Sequence, residues 1–194
     1  PPEWCGTQCV SLLNDVVAVG TYTGRVYLLH WHTGERCMLE HAEPGSIAAL
    51  KLLPSHMISI TRLGGMYVYE RFGMTQARLV AQHTVSPHPI LSVSFGESCM
   101  ARAGQLASGT STDPIPLAVM CADPVGISHW VWRSTEEPTK IWHLDMPHER
   151  LIGASMGALG RCGLITTSLG GVPPVCSARA YTQGHTLCLS LIHI

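Results

Sequence analysis

Residues 16–36, Val-Val-Ala-Val-Gly-Thr-Tyr-Thr-Gly-Arg-Val-Tyr-Leu-Leu-His-Trp-His-Thr-Gly-Glu-Arg, constrain the fold more than any other stretch. They read as strand, turn, strand, turn. Val16–Thr21 is apolar and rich in β-branched residues, and Gly24 marks a short turn. Arg25–His30 is again strand-forming, and Thr33-Gly34 makes a second turn. With residues 8–13 before, Asn14-Asp15 as a turn, and Arg36–Glu40 after, the stretch predicts four short antiparallel strands in a meander.

The unit returns. Residues 46–53, 56–61, 66–71 and 76–82 predict a second set of four strands, with a turn at Pro54-Ser55. Leu63-Gly64-Gly65 stands in the place of Tyr22-Thr23-Gly24, so that Gly65 is the expected counterpart of Gly24. A third unit is stretched. Residues 89–95 open it, residues 96–116 have loop composition and predict an insertion, and 117–122, 127–132 and 140–144 resume the pattern. A fourth unit starts with 151–156 and 162–167 and stops at Gly170-Gly171. Pro173 and Pro174 follow where a central strand should begin, and proline cannot donate to a ladder. Residues 172–194 are therefore expected to be an irregular tail. The last six can be encoded as CTG TCT CTT ATA CAC ATC, which resembles a common sequencing-library adapter. Residues 189–194 are expected to be read-through outside the fold, a genuine apolar tail being the alternative.

These units resemble the repeats of the WD40 or quinoprotein-like β-propeller superfamily. Three pieces carry the likeness: 19–29 (Val-Gly-Thr-Tyr-Thr-Gly-Arg-Val-Tyr-Leu-Leu), 41–47 (His-Ala-Glu-Pro-Gly-Ser-Ile) and 63–69 (Leu-Gly-Gly-Met-Tyr-Val-Tyr). The spacing from Gly24 to Gly65 falls within the roughly 40–45 residues of four-stranded propeller repeats. The resemblance covers about residues 5–171, with its motifs concentrated in 8–82. Family members often place Gly-His before the inner strand and Trp-Asp at the end of the third. Here His41 lacks the glycine, and Leu29-His30 and Glu70-Arg71 stand where Trp-Asp would. The family's buried Asp-His-Ser/Thr-Trp network is therefore not carried over. The implied fold is all-β, a partial β-propeller of about three to four four-stranded antiparallel blades. They fall at about 5–41, 46–82, 89–144 and, incomplete, 151–171. A blade buries its faces only against neighbours, and closed propellers usually hold about four to eight blades. The chain is therefore expected to be a fragment of a longer one.

Composition narrows the function classes. At 194 residues and 46% apolar, the chain can build a sizeable core. With 13% charged residues and a net charge of −1, no basic excess marks a nucleic-acid surface. No apolar run approaches the roughly 20 residues of a spanning helix, and no charged-then-apolar leader opens the chain. The eight cysteines, Cys5, Cys9, Cys37, Cys99, Cys121, Cys162, Cys176 and Cys188, show no C-x-x-C spacing. Reduced structural thiols in a cytoplasmic or nuclear protein are expected, with disulfides as the alternative.

Several motifs invite chemistry. Gly153-Ala-Ser155-Met-Gly157 matches G-x-S-x-G, a pattern that needs a strand before it, a helix after it, and an acid then a histidine downstream. The residues after it are poor helix formers, and no Asp or Glu follows Glu149, so a turn-rich loop is expected. Among eleven histidines, His30 and His32 share a strand face, His83 and His88 flank a Pro-containing turn, and His41 and His56 fall near turns. None shows the short paired spacing of zinc ligands. No metal, no cofactor and no catalytic residue is expected. Trp130, Trp132, Arg133 and Trp142 form an aromatic group, either inter-blade packing or a rim where a partner docks.

The resemblance implies a non-catalytic interaction scaffold whose partners are other proteins or peptides, with no nucleic acid and no membrane. Loops joining second and third strands hold Tyr22 and Arg62, and loops leading to the next blade hold Glu43 and Ser86. These four, with Trp132 and Arg133, are the candidate partner-binding residues. One case is the substrate receptor of a ubiquitin ligase or another multi-subunit complex. The alternative is a propeller-fold hydrolase or metal-dependent enzyme whose catalytic residues lie outside this chain.

Overall fold

The computed structural model describes residues 6–40, 45–73, 75–97, 117–133, 137–145, 149–156, 162–168, 175–182 and 185–193. Every regular element among them is a strand. The order is β1 (Thr7–Leu13), β2 (Val16–Thr21), β3 (Arg25–His30), β4 (Arg36–Glu40), β5 (Ile47–Leu52), β6 (His56–Thr61), β7 (Gly65–Arg71) and β8 (Ala77–Thr84). It continues with β9 (Ser92–Glu97), β10 (Leu117–Asp123), β11 (Gly126–Trp132), β12 (Thr139–Asp145), β13 (Glu149–Met156), β14 (Cys162–Ser168), β15 (Val175–Thr182) and β16 (His185–His193). They form four four-stranded antiparallel sheets, each a simple meander: β1–β4, β5–β8, β9–β12 and β13–β16. This is an all-β fold of propeller blades. Among the described residues no helix is long and apolar enough to cross a membrane.

The blades fall into two compact units, residues 1–90 and 91–194. In the first, each hairpin turns where its sequence contains the required chemistry. Gly20 pairs with Val26 across β2 and β3, so Tyr22, Thr23 and Gly24 make the loop between Thr21 and Arg25. Gly24 sits at φ 86°, and Gly64 at φ 90° in the matching loop of the next blade. A three-residue hairpin loop closes with its last residue left-handed, and glycine adopts that conformation at little cost.

Strict alternation gives the first sheet two distinct faces. One face carries Cys9, Leu13, Val16, Ala18, Val26, Leu28 and Leu39, all packed into the core of this unit. Opposite them, the second sheet contributes Leu50, Leu52, Met57, Tyr67 and Tyr69. Each fully buried aliphatic side chain here contributes about 1.5–3 kcal/mol. Two polar contacts pin the sheets together: the Leu52 amide donates to Ser11 Oγ (3.0 Å), and the Cys9 thiol points at the Ile47 carbonyl (3.8 Å). The other face of the second sheet, Ile58, Ile60, Met66 and Val68, is buried as well.

In the second unit β10 is buried along its whole length, Leu117 to Asp123. A strand covered on both faces reads as a continuous apolar run, as Leu-Ala-Val-Met-Cys-Ala does. Gly96 and Glu97, read from the sequence as the start of the insertion, belong to β9 and pair with Ala118 and Leu117. Residues 98–116 themselves lie outside the described residues.

The structure departs from the sequence reading at three places. First, the counterpart of Gly24 is Gly64, which shares its positive φ, and not Gly65, which already belongs to β7. The repeat is therefore shorter by a single position than the sequence suggests. Second, β9 starts at Ser92 rather than residue 89, because the Ile90 amide is spent on the Arg62 carbonyl (2.7 Å) and cannot join the ladder. Third, the fourth sheet is complete. Val175–Thr182 pairs with β14 and with His185–His193, where an irregular tail and adapter residues were expected. The physical reason is placement. The strand β15 begins at Val175, after both prolines in the sequence, and Pro173 and Pro174 themselves lie outside the described residues.

Candidate functional site: the loop face of the first unit

The hairpin tips after β2 and β6 and the segments that follow β4 and β8 come together at one end of the first unit. The Tyr22 amide donates to the Gly6 carbonyl (3.0 Å), and the Arg62 amide donates to the Ser46 carbonyl (2.7 Å). Each tip is thus tied to the residue that leads into its own blade. Each tip also meets the segment leading to the next blade. A Cβ on Gly24 would lie 2.8 Å from the Gly45 carbonyl oxygen, and one on Gly64 would overlap the Ser86 carbonyl. The Val85 amide donates to the Gly64 carbonyl (2.8 Å). Gly45 also approaches the Leu63 side chain, where a Cβ would meet Cδ1 at 3.3 Å. Gly45 therefore joins the two tips into one surface.

Three side chains stand out from it. Tyr22 is 57% exposed and Leu63 60% exposed. Arg62 is exposed too, and its Nη1 donates to the Ile90 carbonyl (3.2 Å), which fixes the root of the guanidinium. The backbone beneath them is rigid, because Thr21 and Thr61 each close the loop from inside. Thr21 Oγ1 accepts from the Arg25 amide and donates to the Arg25 carbonyl, both 3.1 Å. Thr61 Oγ1 does the same with Gly65, at 3.1 and 3.4 Å.

The six partner-binding candidates separate here. Tyr22 and Arg62 share the loop face. Ser86 lies on the same segment but is buried, and its Oγ accepts from the His88 amide (2.9 Å), so it shapes the turn from within. Glu43 lies outside the described residues. Trp132 is buried opposite Leu117, while Arg133, just after β11, is exposed. Trp130 is half-buried, donates Nε1–H to Ser128 Oγ (3.0 Å), and carries Lys140 Nζ 5.8 Å from its ring centroid. Sequence reasoning missed Leu63. Its one available signal was position, just before the left-handed glycine of a hairpin tip, where side chains point to solvent.

The chemical motifs resolve differently from one another. Ser155 lies inside β13 opposite Gly163, with Gly153 on the same strand, and Gly157 is outside the described residues. His30 is buried, and its Nδ1 accepts from the Thr33 amide (3.1 Å) and lies 2.7 Å from Thr33 Oγ1, building the turn after β3. His32 turns outward to Asp15 (3.2 Å), and His143 pairs with Asp145 (2.9 Å). Among the described residues no group of three or more His, Cys, Asp or Glu side chains could hold a metal ion. Cys9, Cys37 and Cys121 are free thiols. Burial pushes Cys9 up to about 11 and Cys121 up to about 12, with the Asp123 charge adding at Cys121.

No protein-family model and no curated protein matches the chain. Solved structures do. One is Saccharomyces cerevisiae Sqt1, with a TM-score of 0.59 and 12% identity over 89% of this chain and 44% of that chain. Another is the computationally designed Ika4 protein, with a TM-score of 0.55 and 12% identity over 92% of both chains. The chain thus spans less than half the length of Sqt1. At this identity the likeness is one of fold, and the fold it supports is that of a β-propeller.

Proposed function

We propose that the protein is a non-catalytic interaction scaffold that binds a protein or peptide on the loop face of its first unit. One observation carries the reading: Gly45 joins two hairpin tips into a surface that lifts Tyr22, Arg62 and Leu63 into solvent. Tyrosine and arginine are enriched where binding energy concentrates, and a leucine between them adds an apolar anchor. The backbone bonds that tie each tip on both sides reduce the ordering cost of binding. The Arg62 guanidinium favours a partner with a carboxylate beside an apolar or aromatic side chain. A substrate-receptor role in a ubiquitin ligase or another multi-subunit complex is a narrower version of this reading, and fold analogy alone supports it.

The test is selection of a displayed peptide library on the whole chain. Peptides that bind wild type are expected to lose about 10-fold or more in affinity to Tyr22→Ala and to Leu63→Ser. Selection of no peptide, or of peptides indifferent to both variants, would overturn the reading.

A further inference from the structure

The last strand of each sheet presents an edge, and three of these four edges are irregular. β8, β12 and β16 each pair with the preceding strand across a register shift, beside Val68, His129 and Ala178. Such shifts twist an edge away and discourage a further strand from pairing with it. β4 differs. It ends its sheet and pairs with β3 without a break, from Arg25–Glu40 to Leu29–Arg36. The His30 amide donates to the Glu35 carbonyl (2.9 Å). Hydrogen-bonded pairs alternate along an antiparallel ladder, so Leu28–Cys37 and Val26–Leu39 carry the bonds between β3 and β4. The amides and carbonyls of Arg36, Met38 and Glu40 therefore turn to the outer edge. Among the described residues, the Met38 carbonyl receives only a long contact from the Cys37 thiol (3.7 Å), a weak donor. The Met38 side chain is 46% exposed.

We infer that this edge pairs antiparallel with β4 of a second copy of the chain, joining two four-stranded sheets edge to edge in a symmetric dimer. The sequence Arg36-Cys37-Met38-Leu39-Glu40 is its own complement in that arrangement. Centred on Met38, a two-fold axis sets Arg36 of each copy opposite Glu40 of the other and Cys37 opposite Leu39. Opposite charges meet at both ends of the contact, with apolar residues between them, and cross-strand pairs of these kinds are stabilising. The same alignment makes Arg36, Met38 and Glu40 the hydrogen-bonded positions, and these are the residues whose main-chain groups turn outward. A slip of one residue would set outward groups against inward ones and lose both the bonds and the charge pairs. Charge order and main-chain geometry, two separate observations, thus select one register. A two-fold contact uses one strand of each molecule and closes on itself. The inference goes beyond the loop face, since it uses β4 and none of the hairpin-tip residues.

The test is sedimentation velocity of the whole chain over a dilution series reaching high micromolar concentration. Wild type is expected to dimerise. Met38→Pro removes the outward amide of each copy and no bond to β3. It is expected to weaken dimerisation by about 100-fold and to keep the wild-type circular dichroism spectrum. Arg36→Glu and Glu40→Arg each set like charges against one another at both ends, and each alone is expected to weaken dimerisation by about 10-fold or more. Mixed in equal amounts, these two variants bring opposite charges together again at both ends and are expected to associate about as tightly as wild type. A purely structural role for either residue would give no such recovery, and the mixture keeps the inference testable should Met38→Pro fail to fold. A wild type that stays monomeric throughout overturns the inference. So does a dimer indifferent to the charge reversals, or a mixture that associates no better than the separate variants.

Discussion

Thr21 and Thr61 occupy the same place in successive blades and make the same pair of bonds, each Oγ1 bridging the amide and carbonyl of the residue that opens the next strand. Both hydroxyls sit where β2 or β6 ends, and both residues are buried. This shared closure holds the two hairpin tips in one conformation and so places Tyr22, Arg62 and Leu63 on a common surface.

Thr61→Val removes the hydroxyl while keeping the shape. It leaves the Gly65 amide without its acceptor in a buried loop and is expected to destabilise the protein by about 1–3 kcal/mol. Thr61→Ser keeps the oxygen and is expected to cost less than half of that. Urea denaturation of the two variants checks the difference, and equal losses would show that the methyl group, not the hydroxyl, matters.

Gly64 and Gly34 both have positive φ but differ in surroundings. A Cβ at Gly64 would overlap the Ser86 carbonyl, whereas one at Gly34 meets nothing within 4 Å. Gly34→Ala is expected to cost about 1–2 kcal/mol from the left-handed backbone alone. Gly64→Ala adds a backbone clash and is expected to cost about 3 kcal/mol or more. Thermal unfolding of the pair measures the gap.

The buried thiols set the alkaline limit of stability. Cys9 and Cys121 hold their protons to about pH 11 and about pH 12 in the folded chain, while unfolded cysteine releases its proton near 9. Above about pH 9 the unfolded state binds fewer protons than the native one, so stability falls as pH rises. The slope is about 1.4 kcal/mol per pH unit for the buried Cys121 and less for Cys9, whose part-exposed thiol is screened by solvent. Denaturation midpoints from about pH 8 to about pH 11 should show this decline, and Cys121→Ala should reduce its slope. Alkylation at about pH 8 followed by mass spectrometry should leave Cys121 unmodified in the native chain and modify it in urea.

His129 sets a limit on the acid side. Burial lowers its pKa, so below the ordinary value near 6.5 the unfolded chain binds the proton more readily than the native one. Its contribution is present above about pH 6.5 and is lost as the pH falls. His129→Gln is expected to flatten the stability profile between about pH 7 and about pH 5. An unchanged profile would remove His129 as the cause.

Much of the fold was legible in the residues because strand signals are local. Val16–Thr21, Arg25–His30, Arg36–Glu40 and His56–Thr61 begin and end where strand-forming runs meet the turns at Asn14-Asp15, Gly24, Thr33-Gly34 and Pro54-Ser55. The proline argument against β15 failed because a sequence shows which residue lacks a donor but not whether the ladder asks that residue to donate. The candidate site was legible only in part. Tyr22 and Arg62 could be placed on hairpin tips by counting, but Ser86 and Trp132 could not be known to be buried.

Periodicity by itself determined that this chain makes four-stranded meanders in a recurring unit, because alternation and turn chemistry act between neighbours along the backbone. Tertiary structure alone decided which face of each meander is covered and which side chains remain in water. It also decided that Gly45 bridges the tips of two successive blades. Those outcomes depend on distances between segments remote in sequence, and no short-range preference encodes them.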